Sequence, residues 1–137
     1  MAENITLEVV TPEKIVVSEE AQIVASPGSL GEFGVLSGHT PFLTTLKTGI
    51  IRYTDANGKE RYVFVSGGFA EALPDKVTVL AESAERRKDI DPERAKEALA
   101  RAEKRLAEDR SRDDIDFSRA RGSLERAAVR IRLVGTR

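Results

Sequence analysis

The chain has 137 residues and a mass of 15.0 kDa, room for one ordinary domain or a small domain with an appendage but not for two full enzymes. It contains no cysteine, which excludes a disulfide framework and a thiolate metal site. Its net charge of -1 hides an asymmetry: residues 1–84 carry 6 Lys+Arg against 11 Asp+Glu, net -5, and residues 85–137 carry 16 against 12, net +4, so each part is expected to face a different partner.

Up to about Leu80 the apolar residues recur with period two: Ile5/Leu7/Val9, Ile15/Val17, Ile23/Ala25, Phe42 to Leu46, Ile50 to Tyr53, Tyr62/Phe64 and Val77/Val79. That spacing predicts strands with one buried face. Between them stand turn-forming clusters, Thr11-Pro12-Glu13-Lys14, Ser26-Pro27-Gly28-Ser29, Asp55-Ala56-Asn57-Gly58 and Leu73-Pro74-Asp75-Lys76. Many short strands so punctuated predict an antiparallel sandwich or flattened barrel over residues 1–84. Gly67-Gly68 reads as a bulge or tight strand bend. No apolar run is long enough to span a bilayer, and the first residues lack the basic-then-apolar layout of a signal peptide.

From Glu82 onward the composition turns to Ala, Arg, Glu, Lys and Leu, and the period becomes helical. Ala95, Leu99, Ala102 and Leu106 form one stripe, and Ala120, Leu124, Ala127 and Ile131 form its counterpart. The two segments are echoes of each other. Asp89-Ile90-Asp91-Pro92-Glu93-Arg94-Ala95 returns 25 positions later as Asp114-Ile115-Asp116-Phe117-Ser118-Arg119-Ala120, and Arg101/Arg126, Ala102/Ala127 and Arg105/Arg130 continue the match. Asp91 and Asp116 are expected as N-caps, Pro92 as a first helical residue, and Ile90 and Ile115 as hydrophobic staples. A polar run from Glu108 to Asp113 predicts the turn of an antiparallel two-helix hairpin over residues 85–137. Its alanine seam buries little area, and Gly122 within the second helix lowers stability by about 1 kcal/mol relative to alanine. Such a hairpin is expected to be able to open.

Antiparallel pairing predicts that Arg94 lies near Arg126 and Arg130, at the start of the first helix, where backbone N–H groups also favour an anion. Two readings stand: a polyphosphate site with Asp91 accepting hydrogen bonds beside it, or a solvated face on which Glu93, Glu97, Glu103 and Glu125 neutralise the arginines. No catalytic constellation is present. His39 lies in a Gly38-His39-Thr40-Pro41 turn without an acid or serine placed beside it, which points to a structural or interface role. There is no phosphate-binding loop of the Gly-Lys-Ser/Thr type, and the scarcity of Cys and His argues against a transition-metal site. An acidic pI of about 5.9 and 5% aromatic residues argue against nucleic acid as a partner.

Taken in order, Gly31-Glu32-Phe33-Gly34-Val35-Leu36-Ser37-Gly38-His39-Thr40-Pro41-Phe42-Leu43, Val65-Ser66-Gly67-Gly68-Phe69-Ala70-Glu71, Asp75-Lys76-Val77-Thr78-Val79-Leu80-Ala81 and the charged two-helix tail resemble the epsilon subunit of bacterial rotary ATP synthase. The resemblance covers essentially the whole chain. It implies a ten-stranded antiparallel β-sandwich followed by a helical hairpin, in a rotor subunit that performs no chemistry. It further implies contacts with the gamma subunit and the c-ring, with His39 at a partner interface. The setting implied is the cytoplasmic face of the cell membrane, peripheral and without membrane insertion, and the isolated subunit is expected to be a monomer.

The resemblance also implies a job for the tail, which in bacterial members either folds down on the sandwich or extends along gamma to block ATP hydrolysis at an acidic loop of the beta subunits. Residues 116–137, with 6 Lys+Arg against 2 Asp+Glu, have the matching charge, and Arg119 and Arg121 are the expected contacts. In Bacillus-like members the folded hairpin binds ATP through Ile/Leu-Asp-x-x-Arg-Ala, written here as Ile90-Asp91-Pro92-Glu93-Arg94-Ala95. Glu85, Arg101, Arg126 and Arg130 fall where the remaining nucleotide contacts of such members would lie. Magnesium could accompany the ATP but no residue here demands it. The alternative expectation is a purely mechanical or constitutively inhibitory subunit, indifferent to nucleotide.

Overall fold

A computed structural model describes the backbone of residues 3–108 and 114–135, and the side chains of all of these except 114–116. The chain divides into two compact units, Met1–Arg87 and Lys88–Arg137.

The first unit holds β1 (Ile5–Val10), β2 (Ile15–Gly28), β3 (Gly31–Val35), β4 (Phe42–Thr45), β5 (Gly49–Asp55), β6 (Glu60–Ser66), β7 (Phe69–Leu73), β8 (Lys76–Leu80) and β9 (Ser83–Arg86). Its hydrogen-bonded order is β4-β7-β8-β1-β2-β5-β6-β9, with β3 on the far end of β2. The 14-residue β2 links the two layers of the sandwich. Its first half pairs with β1, and its second half lies between β3 and β5. Inward residues of both layers, among them Leu7, Val9, Val77, Val24, Ile51 and Tyr53, form one core cluster.

Three expectations need correction. There are nine strands among the described residues, not ten. A further ladder is reduced to a single bridge between Gly28 and Leu46. The preceding Pro27 accepts a hydrogen bond from the Lys47 N–H at 3.0 Å but has no N–H of its own with which to continue the pairing. The sheet is also not wholly antiparallel, because β1 and β8 run parallel; they come from opposite ends of the unit, and no turn dictates their relative direction. Finally, Ile15 and Ile23 are exposed at 65% and 41% instead of buried. Register shifts at Val9/Val10 and at Ala21/Ile23 change the phase of alternation, so that Val17, Ala21 and Val24 face the core.

Three of the expected turn clusters lie at turns or bends, whereas Ser26, Pro27 and Gly28 belong to β2 and the turn to β3 is made at Ser29-Leu30. Asp55 Oδ1 accepts hydrogen bonds from the Asn57 and Lys59 N–H groups at 2.9 and 3.0 Å, while Arg61 Nε donates to Oδ2 at 3.1 Å. These bonds, first among them the one from Lys59, hold the Asp55 carboxyl below its usual range. Gly67 and Gly68 join β6 to β7 with φ of 65° and 107°. A Cβ on Gly68 would come within 2.0 Å of the Leu80 carbonyl oxygen, so the bend accepts only glycine there.

The second unit contains α1 (Pro92–Glu108) and α2 (Asp114–Gly135), packed on each other. Ala95, Ala102, Ala120 and Ala127 are all buried, as their spacing predicts, and Leu99, Leu106 and Leu124 are half-buried.

Candidate functional site

The start of α1 is built by the residues that the repeat singled out. Asp91 stands before a proline, which disfavours helical backbone at that position, and its Oδ1 accepts hydrogen bonds from the Glu93 and Arg94 N–H groups at 3.0 and 3.2 Å. Its carboxylate is thereby an N-cap. Ile90 is buried ahead of it, and Ala95 is buried in the first turn. The second copy differs. α2 is already helical at Asp114, so Asp116 stands inside the first turn and not ahead of it, contrary to the cap expected there. The reason lies one residue on: Phe117 imposes no proline-like restriction on its predecessor. The side chains of Ile115 and Asp116 lie outside the described residues.

Farther along, the two helices enclose a cleft of about 190 Å³ lined by Ala98, Arg101, Ala102 and Arg105 from α1 and by Ser123, Arg126, Ala127 and Arg130 from α2. On each helix these are positions i, i+3, i+4 and i+7, a single face. Arg126 is held along its own helix. Its Nη2 donates to Ser123 Oγ at 3.1 Å, and its Nη1 lies 3.2 Å from where a Cβ on Gly122 would stand. The glycine in mid-helix thus leaves room for a guanidinium.

Among the described residues that line the cleft none is a carboxylate. Within α1, Lys96 pairs with Glu93 at 3.5 Å and Lys104 with Glu108 at 4.0 Å. Arginines from both helices line one concavity, and a like-charge pair at i,i+4 on a helix is unfavourable by roughly 0.2–0.5 kcal/mol where no partner compensates it. An anion with several negative oxygens relieves that repulsion and matches the guanidinium fork geometrically.

Of the predicted ATP contacts, the cleft brings together Arg101, Arg126 and Arg130. Arg94 and Asp91 are not on its wall: Arg94 is on the same face as Arg101 but two turns earlier, about 10.5 Å along the axis, and both are exposed. Glu85 belongs to β9, opposite Phe64 of β6, and so to the sheet unit. Arg105 lines the cleft without having been predicted as a contact. Its match with Arg130 in the repeat was the signal that marked it.

The expected interface residues differ in exposure, and His39 is half-buried. Arg119 and Arg121 are exposed on α2. His39 Nδ1 lies 2.8 Å from the Thr40 carbonyl oxygen, which assigns the proton to Nδ1, and the ring packs edge-on to Phe42 at 5.8 Å. Phe42 in turn meets Phe33 at 5.1 Å, so the histidine caps a small aromatic cluster. A separate apolar concavity is lined by residues including Val10, Leu46, Phe69, Leu80 and Ala81. Leu80 and Phe69 are direct cross-strand partners, and each is more than half exposed.

Residues 4–87 match the family "ATP synthase, Delta/Epsilon chain, beta-sandwich domain", and residues 88–135 match "ATP synthase, Delta/Epsilon chain, long alpha-helix domain". The chain is 66% identical to the ATP synthase epsilon chain of Desulforapulum autotrophicum over 137 residues, all of both chains. It is 53% identical to that of Nitratidesulfovibrio vulgaris over 135 residues, 98% of each. Among solved structures it is similar to a chain in the mitochondrial ATP synthase of Euglena gracilis, described as OSCP/F1/c-ring, with a TM-score of 0.75 and 26% identity over 89% of this chain and 76% of that one. A chain of the Tetrahymena thermophila central stalk/c-ring shares the fold, with a TM-score of 0.59 at 11% identity over 98% of this chain and 96% of that one.

Proposed function

The chain belongs to the ATP synthase Delta/Epsilon chain family, as an epsilon-type subunit of the central stalk, and from that premise we propose that it couples rotation to catalysis without chemistry of its own and holds its hairpin closed by binding ATP. The observation that supports the ATP reading is the cleft lined by arginines from both helices. A ligand bridging α1 and α2 binds only when they are packed together. It stabilises that state by RT ln(1 + [L]/Kd), about 2.7 kcal/mol at a hundredfold excess over Kd. The alanine seam makes the closed state marginal enough for this to decide its population. ATP at high concentration keeps the hairpin closed; at low concentration the basic α2 is released to inhibit hydrolysis at the beta subunits, with Arg119 and Arg121 among its contacts.

The sheet unit serves to attach the subunit within the rotating central stalk. Its exposed Leu80–Phe69 row supports docking on gamma, since contiguous apolar surface of this kind marks an interface. The c-ring named with the Euglena gracilis structure supports a second contact, with His39 at a partner interface. No helix among the described residues is long and apolar enough to cross a membrane.

Calorimetric unfolding of the full chain with and without ATP tests the reading. Wild type is expected to show an ATP-dependent upward shift that Arg126→Ala and Arg94→Ala remove. Asp91→Asn, which keeps a capping oxygen while deleting the charge, separates ligand contact from helix start and is also expected to lose the shift. ATP stabilisation unchanged in all three variants would sink the site, and none in wild type would leave a purely mechanical subunit.

A further inference from the structure

The tip of the β5–β6 hairpin places an asparagine directly before a glycine in a tightly bonded turn. The Gly58 N–H donates to the Asp55 carbonyl at 3.0 Å, which closes a β-turn over Asp55-Ala56-Asn57-Gly58. Among the described residues none but glycine has positive φ, so Ala56 and Asn57 both have negative φ and the turn is of type I, not type II. Gly58 follows with φ of 83°, and the Asp55 N–H donates to the Lys59 carbonyl at 2.9 Å. Asp55 is buried, and its Oδ1 accepts from both the Asn57 and the Lys59 N–H groups. Asn57 and Gly58 are exposed.

We propose that Asn57 is a site of spontaneous deamidation, kept latent by the turn that contains it. The backbone nitrogen of Gly58 attacks Asn57 Cγ, and the new N–C bond closes a succinimide ring. The Cγ–Nδ2 bond breaks, and Nδ2 leaves as ammonia with the proton given up by the Gly58 nitrogen. Water then opens the ring at one carbonyl to give aspartate, or at the other to give β-linked isoaspartate. Glycine obstructs this attack least, having no Cβ beside its nitrogen, and a Cβ built on Gly58 would meet nothing within 4 Å, so the nucleophile stands in the open.

The folded turn opposes the reaction in two ways. Ring closure needs the Gly58 nitrogen alongside Asn57 Cβ, whereas ψ of about 0° at the third position of a type I turn swings it toward the Asn57 nitrogen instead. Its hydrogen is also engaged with Asp55. Conversion therefore runs through a local opening of the tip that leaves the rest of the sheet intact. Asp55, bound as well to Arg61 at 3.1 Å, is the residue that holds the tip shut. The isoaspartyl product adds a methylene to the backbone and a carboxylate near that of Asp55. Neither fits a turn whose bonds converge on Asp55, so a converted chain has a loosened tip, and the pairs Thr54–Glu60 and Tyr53–Arg61 are the first to lose register.

Peptide mapping by mass spectrometry on the full chain, held at mildly alkaline pH with and without urea, reads the conversion at Asn57. Asp55→Ala and Arg61→Gln are compared with wild type, each with its own urea midpoint to separate opening of the tip from global unfolding. Folded wild type is expected to convert slowest and the urea-unfolded chain fastest. Asp55→Ala should convert about tenfold faster than folded wild type, the gain in open population that follows from losing hydrogen bonds of ordinary net strength. Arg61→Gln, which removes a single bond to Asp55, should fall between the two. Absence of conversion in urea would overturn the site itself. Equal rates in folded and unfolded wild type would overturn the protection by the turn, as would an acceleration in the variants that merely follows their loss of global stability. A rate in Asp55→Ala equal to that of wild type would overturn the role of Asp55.

Discussion

The phenol of Tyr53 joins three strands through one oxygen. On β5 and 1% exposed, it donates a hydrogen bond to Glu19 of β2, and Arg86 of β9 reaches it with Nη1 at 3.5 Å while donating from Nε to the Val16 carbonyl at 3.0 Å. Burial, then the bond to Glu19, raises the Tyr53 pKa well above the ordinary tyrosine value. Because the folded value is the higher one, the stabilisation is fully present below the unfolded pKa of about 10 and is lost as pH climbs toward the folded value. Tyr53→Phe removes the donor to a charged acceptor and is expected to cost about 1.5–3 kcal/mol. Urea unfolding at neutral pH should show this as a lower midpoint with an unchanged slope. Across the alkaline range, wild type should lose stability more steeply than the variant; parallel pH profiles would remove the assigned role of the phenol.

Among the elements, α2 carries a conflict between helix propensity and site. Gly122 is half-buried in its interior, where alanine is favoured by about 1 kcal/mol, and the space it leaves is taken by the Arg126 guanidinium. Since that obstacle is the far end of a flexible side chain, Gly122→Ala is expected to stabilise the helical unit by up to about 1 kcal/mol. It should also displace Arg126 from its bond with Ser123 and so weaken anion binding. Thermal unfolding followed at 222 nm, with and without ATP, reads both effects, and a variant less stable than wild type without ligand would contradict the argument.

The same scale shows how far the sequence could be read. Strands with one clean buried face, such as Ile5/Leu7/Val9 and Val77/Val79, were legible because their partners leave the period intact. Ile15 and Ile23 were misplaced because a bulge is a property of the pair of strands, not of either alone. β9 escaped notice altogether: Ser83-Ala84-Glu85-Arg86 has no apolar alternation, and it is a strand because the edge of β6 offers it backbone partners. In the helices, the stripes and the Asp91 cap were legible. Which arginines meet depends on where the turn between α1 and α2 sets their relative register, and a list of i,i+4 spacings carries no information about that.

At the scale of the molecule, the two units are stabilised by different means. The core cluster of the sheet unit runs from Ile5 to Ala81 and is built mainly on Ile, Leu and Val side chains and Tyr53, with Ala84 packed against it. Most of the buried residues of α1 and α2 are alanines, with Val129 and Leu133 beside them; alanine buries little apolar area per residue, and helices of 17 and 22 residues are marginal in water without tertiary support. A chain ending at Arg87 is therefore expected to retain cooperative urea unfolding and the far-ultraviolet signature of a β-sheet. A peptide of residues 88–137 should be largely unfolded in dilute buffer and gain helical signal on addition of tripolyphosphate, because a ligand that binds only the paired helices draws the population toward them. Repulsion among the arginines of the cleft opposes pairing and is screened by salt, so sodium chloride at equal ionic strength should give a smaller gain. Equal gains from the two would mean that screening alone, and no bound anion, closes the hairpin.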